Sequence, residues 1–302
     1  MARKVNNYDI FASHAWYAPG LGGMFALLGW FLVGMLIGTL LQMIALRFVD
    51  AQLILDYGMI VIYPVQFIPA MLYVARKSQR NALFERGWSL DSFHPAPFKG
   101  WQLVILTIAT TAASMMVFDL PNYWNMKLSM RSSILAQFYE SFMAIMKQMT
   151  GGPLWSSFLT VAIFAPFFEE WLCRGVVLRG LLTKMKPSWA IIISALFFAA
   201  IHANPWQALN AFLIGVLMGY VYYRTGSLKL TMLMHFVNNV SAVILGRIES
   251  LKEFDFWIDI LGKQNYMVVF FISLAVLVGG IILLRKIPLE HPWGNMDVIE
   301  AD

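Results

Sequence analysis

The sequence predicts an all-α polytopic membrane protein of about eight transmembrane helices, and three observations carry that prediction. Of its 302 residues 59% are hydrophobic and 13% charged, with a mean hydropathy of +0.65, whereas an ordinary soluble domain has about a quarter of its residues charged. Eight apolar segments lie near 22–46, 57–75, 101–118, 153–175, 187–202, 206–223, 228–246 and 266–284, and a bilayer core of about 30 Å needs about 20 such residues as helix. The basic residues stand singly or in twos and threes between these runs, as membrane topology requires. A soluble domain, a disordered chain and a disulfide scaffold are excluded on these grounds, and Cys173, the single cysteine, cannot form an internal disulfide.

Taken in order, segment 22–46 is unbroken and carries Gly34 and Gly38 at a GxxxG spacing, which predicts close helix packing. Segment 57–75 contains Pro64 and Pro69. The connection 119–152 holds Leu135, Phe138, Phe142, Ile145 and Met149 at spacings of three and four, the pattern of an amphipathic interfacial helix or, equally, of a core helix. Segment 187–202 is short, and 206–223 repeats the small-residue spacing at Gly215 and Gly219. Trp155, Trp189, Trp206, Tyr222 and Tyr223 stand near segment ends and read as interfacial anchors. No repeat or hydrophilic linker divides the chain, so 1–302 reads as one membrane domain. With the N-terminus inside, fourteen basic residues fall in inside connections and seven outside, which predicts both termini cytoplasmic. The N-terminal stretch has no apolar run of signal-peptide form, and the scattered basic residues do not predict a nucleic-acid partner.

Nearly all acidic residues fall in connections or tails, and Glu169 and Glu170 are the exceptions, with Arg174 close behind. Two histidines also lie inside apolar segments, His202 and His235, and Asn239 follows His235 by four. Ionisable groups in a spanning helix are costly unless they face a bundle interior or a watery cavity, so each is a functional candidate. Glu170 with Arg174, Phe198 with His202, and His235 with Asn239 each share a helix face at i, i+4. A carboxylate and a histidine there suit activation of water, and a histidine with an asparagine suits stabilisation of an oxyanion. That is the chemistry of amide hydrolysis at an intramembrane active site enclosed by the helices.

The same residues form EExxxR in FEEWLCRG, FxxxH from Phe198 to His202 and HxxxN from His235 to Asn239, in that order. Together they resemble the signature of the CAAX protease and bacteriocin-processing family, which includes the type II CAAX prenyl endopeptidases, the Ras-converting enzyme among them. The resemblance covers about 150–246, and the first 150 residues carry nothing diagnostic. It implies an eight-helix glutamate endopeptidase with no catalytic metal or other cofactor, acting on a prenylated C-a-a-X tail. Carried over by position, Glu169 and His202 activate water, His235 and Asn239 hold the oxyanion, and Glu170 and Arg174 support the site. The implied partners are membrane lipid and a membrane-associated, prenylated peptide or protein. The implied location is the bacterial inner membrane, or the endoplasmic reticulum in a eukaryote.

Other readings stay open. Cys173 inside EExxxR invites a cysteine nucleophile, although it points about 100° away from Arg174 on a helix. A zinc protease would use His202, His235 and a glutamate, but no HExxH occurs. A non-catalytic scaffold or bacteriocin-immunity factor of the same fold, and a proton-coupled transporter, would keep the same polar residues. One geometric problem stands out. At 1.5 Å per residue, His235 and Asn239 lie roughly 10 to 17 Å from the start of their helix, with Glu169 at comparable depth, whereas His202 lies roughly 23 Å from its own, so a site near the cytoplasmic leaflet needs tilt to close the gap.

Overall fold

The computed structural model describes residues 17–78, 97–251, 254 and 256–287, and every regular element among them is a helix. Helices α1 (Leu21–Ala45), α2 (Ala51–Lys77) and α3 (Gly100–Ser129) are followed by α4 (Ser133–Gly151). The next helical stretch, α5, runs over 154–182 and alternates α-helical with wider π-helical turns. Helices α6 (Pro187–Ile201), α7 (Pro205–Thr225), α8 (Leu228–Leu245), the short α9 (Trp257–Leu261) and α10 (Lys263–Leu284) complete the chain. All eight apolar segments fall on helices, namely α1, α2, α3, α5, α6, α7, α8 and α10. Five of these, α1, α2, α3, α8 and α10, are long and apolar enough to cross a membrane. Of the others, α6 has 15 residues and α7 carries Gln207 and Asn210.

Local chemistry sets the boundaries. Asp50 caps α2 by accepting from the Gln52 N–H at 2.8 Å, Ser132 caps α4, and Ser227 caps α8 by accepting from Leu230 N–H at 3.3 Å. Helix α7 begins at the Asn204 cap with Pro205 in its first turn and stops at Gly226, whose φ of 67° is open to glycine without steric cost. Pro64 and Pro69 do not interrupt α2, and α3 continues through Pro121 to Ser129, eleven residues past the expected 118. In a packed membrane bundle neighbouring helices support a proline that would end an isolated helix.

Helix α8 lies inside the bundle, bordered by α3, α5 and α7, while α1 packs along α2, α6 along α7 and α10 along α3. The outward faces of α1 and α10 present Phe25, Leu36, Phe271 and Ile272, the apolar surface that lipid requires. The two glycine pairs serve the predicted close packing. A Cβ on Gly34 would stand 1.9 Å from the Gln66 carbonyl oxygen of α2, and one on Gly215 would stand 3.2 Å from the Ala195 Cβ of α6.

Several sequence expectations are corrected. Tyr222 is fully buried and is no interfacial anchor, whereas Trp155 and Trp189 are exposed as expected. Arg179, counted as a connection charge, is buried within α5 and donates to the Tyr17 carbonyl. On α4, Ile134, Leu135 and Phe138 are exposed, so its first turns are not core; the side chains of Phe142, Ile145 and Met149 lie outside the described residues. So do both termini and the basic residues Arg3, Lys4, Arg80, Arg86 and Lys252.

Because an added methyl at Gly34 has no place to go without moving the α2 backbone, Gly34→Ala is expected to cost about 1–3 kcal/mol. Thermal unfolding in detergent measures it, and an unchanged midpoint would refute the contact.

Candidate active site

Glu169 and Glu170 end the α-helical turn Ala165–Glu170 of α5, between two π-helical runs, Phe158–Phe164 and Trp171–Leu178. Widened turns loosen the regular backbone ladder, and π segments recur at functional sites for that reason. Side chains of other helices reach carbonyls in both runs. Asn239 donates its Nδ2 to Val161 O at 2.8 Å, and Ser194 donates its hydroxyl to Cys173 O at 3.0 Å. The glutamates are thus held between two points tied to α8 and α6.

Beneath the surface of the site lies an ion pair. Arg174 Nη1 donates to Glu170 Oε1 at 2.6 Å, and both side chains are wholly buried. The arginine also donates Nη2 to the Gly215 carbonyl at 3.1 Å and lays its guanidinium over the Phe198 ring, 4.4 Å from the centroid. A buried charge pair is tolerable only when such further partners replace water. Glu170 Oε1 accepts once more, from His235 Nδ1 at 3.0 Å. Since Glu170 is already the acceptor of Arg174, the His235 proton sits on Nδ1 and its Nε2 faces away towards Glu169.

His202 caps the end of α6 and is oriented the same way. Its Nδ1 lies 2.7 Å from the Phe198 carbonyl, which can only accept, so Nδ1 carries the proton and Nε2 is turned inward. Phe198 stands edge-on to both rings, with centroids 4.9 Å from His202 and 5.6 Å from His235. The two Nε2 atoms converge on one oxygen: each is 3.9 Å from Glu169 Oε2. That oxygen forms no hydrogen bond among the described residues. Glu169 and His202 keep 12% and 21% of their side-chain surface accessible, while Glu170 and Arg174 keep none. The paired charges form the sealed base of the site, and Glu169 and His202 are its partly accessible members.

Five of the six residues named from the sequence therefore meet in one network, Glu169, Glu170, Arg174, His202 and His235. The sixth, Asn239, is fixed one helical turn beyond His235, with Asn238 Nδ2 donating to its Oδ1 at 3.1 Å. The expected mismatch in depth has a definite resolution. Helix α5 extends to Leu182, seven residues past the expected 175. Counted at α-helical rise, Glu169 and His202 then both lie roughly 20 Å from the turn at 183–186. The turn joining α7 to α8 lies beside Gly175, whose nearest neighbour is Leu228, so the two hairpins are staggered along the bundle.

Two residues escaped sequence reasoning. Tyr63 of α2 donates its hydroxyl to Glu169 Oε1, the oxygen not aimed at the histidines. A tyrosine within an apolar run needs a partner for its hydroxyl, which is the only trace of this role the sequence holds. Asp119 falls one residue past the expected end of its segment but is buried inside α3, where its Oδ1 accepts from the Trp257 N–H at 3.1 Å. Cys173 is fully buried and forms no hydrogen bond with either histidine among the described residues. No group of three or more His, Cys, Asp or Glu among the described residues has the spacing to hold a metal ion.

Residues 150–241 match the family model of the type II CAAX prenyl endopeptidases, Rce1-like. This Rce1-like stretch contains EExxxR, FxxxH and HxxxN, the motifs that carried the resemblance. No curated protein and no solved structure gives a significant match to the chain. Over that stretch the protein is CAAX-protease-like, and with its five membrane-length apolar helices it is an integral membrane protein.

Removing the cation would leave Glu170 charged in a sealed pocket. Arg174→Met is expected to destabilise the fold by about 3–5 kcal/mol, read from thermal unfolding in detergent. A loss below about 1 kcal/mol, the worth of an exposed pair, would contradict the sealed arrangement.

Proposed function

We propose that the protein is an intramembrane endopeptidase that hydrolyses a peptide bond with water activated by Glu169 and His202, without a catalytic metal or other cofactor. The observation that carries this reading is the convergence of both Nε2 atoms on Glu169 Oε2 at 3.9 Å. The span is too long for a direct hydrogen bond, and the reading places one water molecule against all three groups. Glu169 and the Nε2 lone pair of His202 both accept, so such a water is held by its two protons with its oxygen lone pair free to attack.

In the reaction the water oxygen bonds to the scissile carbonyl carbon while its proton passes to Glu169 or His202. His235 Nε2 and the second N–H of Asn239 donate to the oxyanion. Since Nδ1–H of His235 is committed to Glu170, that donation requires His235 to carry protons on both nitrogens. The C–N bond then breaks and the proton taken from water passes to the departing amine. Glu170 and Arg174 act through His235, and Tyr63 acts through Glu169 by fixing which carboxylate oxygen faces the water.

The substrate class follows from the Rce1-like match and the apolar surroundings: a membrane-associated peptide or protein, prenylated at a C-terminal C-a-a-X sequence, arriving from the lipid. A non-catalytic scaffold of the same fold would need neither Glu169 nor His202.

The test is release of a tripeptide from a farnesylated C-a-a-X peptide by the purified protein in lipid, read by mass spectrometry. Wild-type protein is expected to release it with or without a chelator, and Glu169→Gln to release none while keeping its unfolding midpoint. Activity in that variant would overturn the mechanism, and activity lost on chelation would favour the zinc reading. Asn239→Ala is expected to raise the barrier by about 2.7–4 kcal/mol, the worth of an oxyanion donor. Tyr63→Phe is expected to lower kcat about 10- to 100-fold with KM unchanged, the worth of a hydrogen bond to a charged group.

A further inference from the structure

Beyond Asn239, on the side away from Glu170, lies an open cavity of about 500 Å³ lined by residues of α3, α4, α7 and α8 and by Leu251, Phe254 and Phe256. Its size is that of a small-ligand site, and its wall is chemically unusual for a membrane bundle. Asn122 and Asn125 of α3, Gln207 and Asn210 of α7 and Asn238 of α8 all line it. Five carboxamides from three helices supply paired donors and acceptors, the complement of peptide N–H and C=O groups, and the carboxyl of Asp119 lines the same wall. Met126 and Trp257 contribute apolar surface between them, suited to apolar side chains of varied shape.

The amides are only partly used on one another. Asn122 spends its Nδ2 on Phe118 O at 2.7 Å and on Asn210 Oδ1 at 3.0 Å. Its own Oδ1 is buried with no hydrogen-bond partner among the described residues. A buried acceptor left unmet is costly. Asn238 joins this wall to the site already described, because it lines the cavity while its Nδ2 holds Asn239 Oδ1.

We propose that this cavity is the peptide subsite of the enzyme, holding the backbone of an extended substrate segment on one side of the scissile bond. The assignment rests on the protease reading for its direction, since Asn239 then marks where the bond to be cut must lie. It adds that recognition is through the backbone, by amide side chains, and tolerates a range of apolar substrate side chains.

The experiment uses the full-length protein in lipid with farnesylated C-a-a-X peptides carrying a benzophenone side chain at each of the last three positions in turn. Crosslinked residues are mapped by mass spectrometry, and cleavage of the unmodified peptide is measured in the same preparation. The proposal expects crosslinks within 122–126, 207–210 or 254–257 from at least one position. Cleavage with crosslinks only elsewhere overturns the subsite and leaves the protease reading standing. Crosslinks there without cleavage support a peptide site and remove the protease reading, and neither crosslinks nor cleavage removes both. Asn210→Leu supplies the second readout: an about tenfold rise in KM with kcat within about twofold of wild type. A fall in kcat at unchanged KM would contradict a binding role.

Discussion

The Glu170–Arg174 pair is the constraint around which the structure is arranged. Two full charges without any solvent contact are sustained only where every neighbouring group helps to replace water. The guanidinium consumes the Gly215 carbonyl, the face of Phe198 and one oxygen of Glu170. Each demand fixes a further element. Gly215 lets α7 lie close against Ala195 and Phe198 of α6, Phe198 must lie between α5 and α8, and His235 must present Nδ1 to the oxygen that Arg174 shares. Thus one enclosed charge pair sets the rotation of four helices about their axes.

The proposed mechanism rests on asymmetry between two adjacent carboxylates. Glu170 is inaccessible and shares one oxygen between Arg174 and His235, while Glu169 has one oxygen held by Tyr63 and the other facing two ring nitrogens. Adjacent residues on a helix point about 100° apart, so a single turn can hand one carboxylate to Arg174 and the other to Tyr63 and the two histidines. The flanking π-helical runs tie that turn to Asn239 and Ser194 instead of leaving it to backbone bonds alone. The turn after His202 shows a comparable constraint. Ala203 is held at φ 50°, an uncommon conformation for a residue with a side chain, between the end of α6 and the Asn204 cap of α7.

Much of this was legible in the sequence because a membrane makes polar residues conspicuous. Glu169, Glu170, Arg174, His202 and His235 stood out against apolar runs, and the i, i+4 spacing gave the Glu170–Arg174 ion pair and the Phe198–His202 contact. The glycine pairs were equally legible, since small residues at that spacing have one main use between helices. What stayed hidden depends on three-dimensional register. Tyr63 has no ionisable signal to mark it. Asp119 and Arg179 were assigned to connections because hydropathy ends where charge begins, although both helices continue with the charge buried. The same error of seven residues at the end of α5 created the apparent mismatch in depth, because a hairpin's position is fixed by helix ends and polar residues near an end blur them.

Tyr63 also shows why the Rce1-like stretch is not a self-sufficient site. Residues 150–241 contain the glutamates, the histidines and Asn239, yet the group that orients Glu169 comes from α2. That helix is in turn held by α1, where Gly34 lets the backbones meet at Gln66, one helical turn beyond Tyr63. Phe67 carries the same connection inward, stacking on Phe168 beside Glu169, with ring centroids 5.3 Å apart. Rigid aromatic and backbone contacts of this kind transmit a displacement of α2 directly to the carboxylate, because a close-packed interior has no slack to absorb it. The N-terminal helices therefore do more than anchor the chain in lipid: through Tyr63 they hold the Glu169 carboxylate in its orientation towards the histidines.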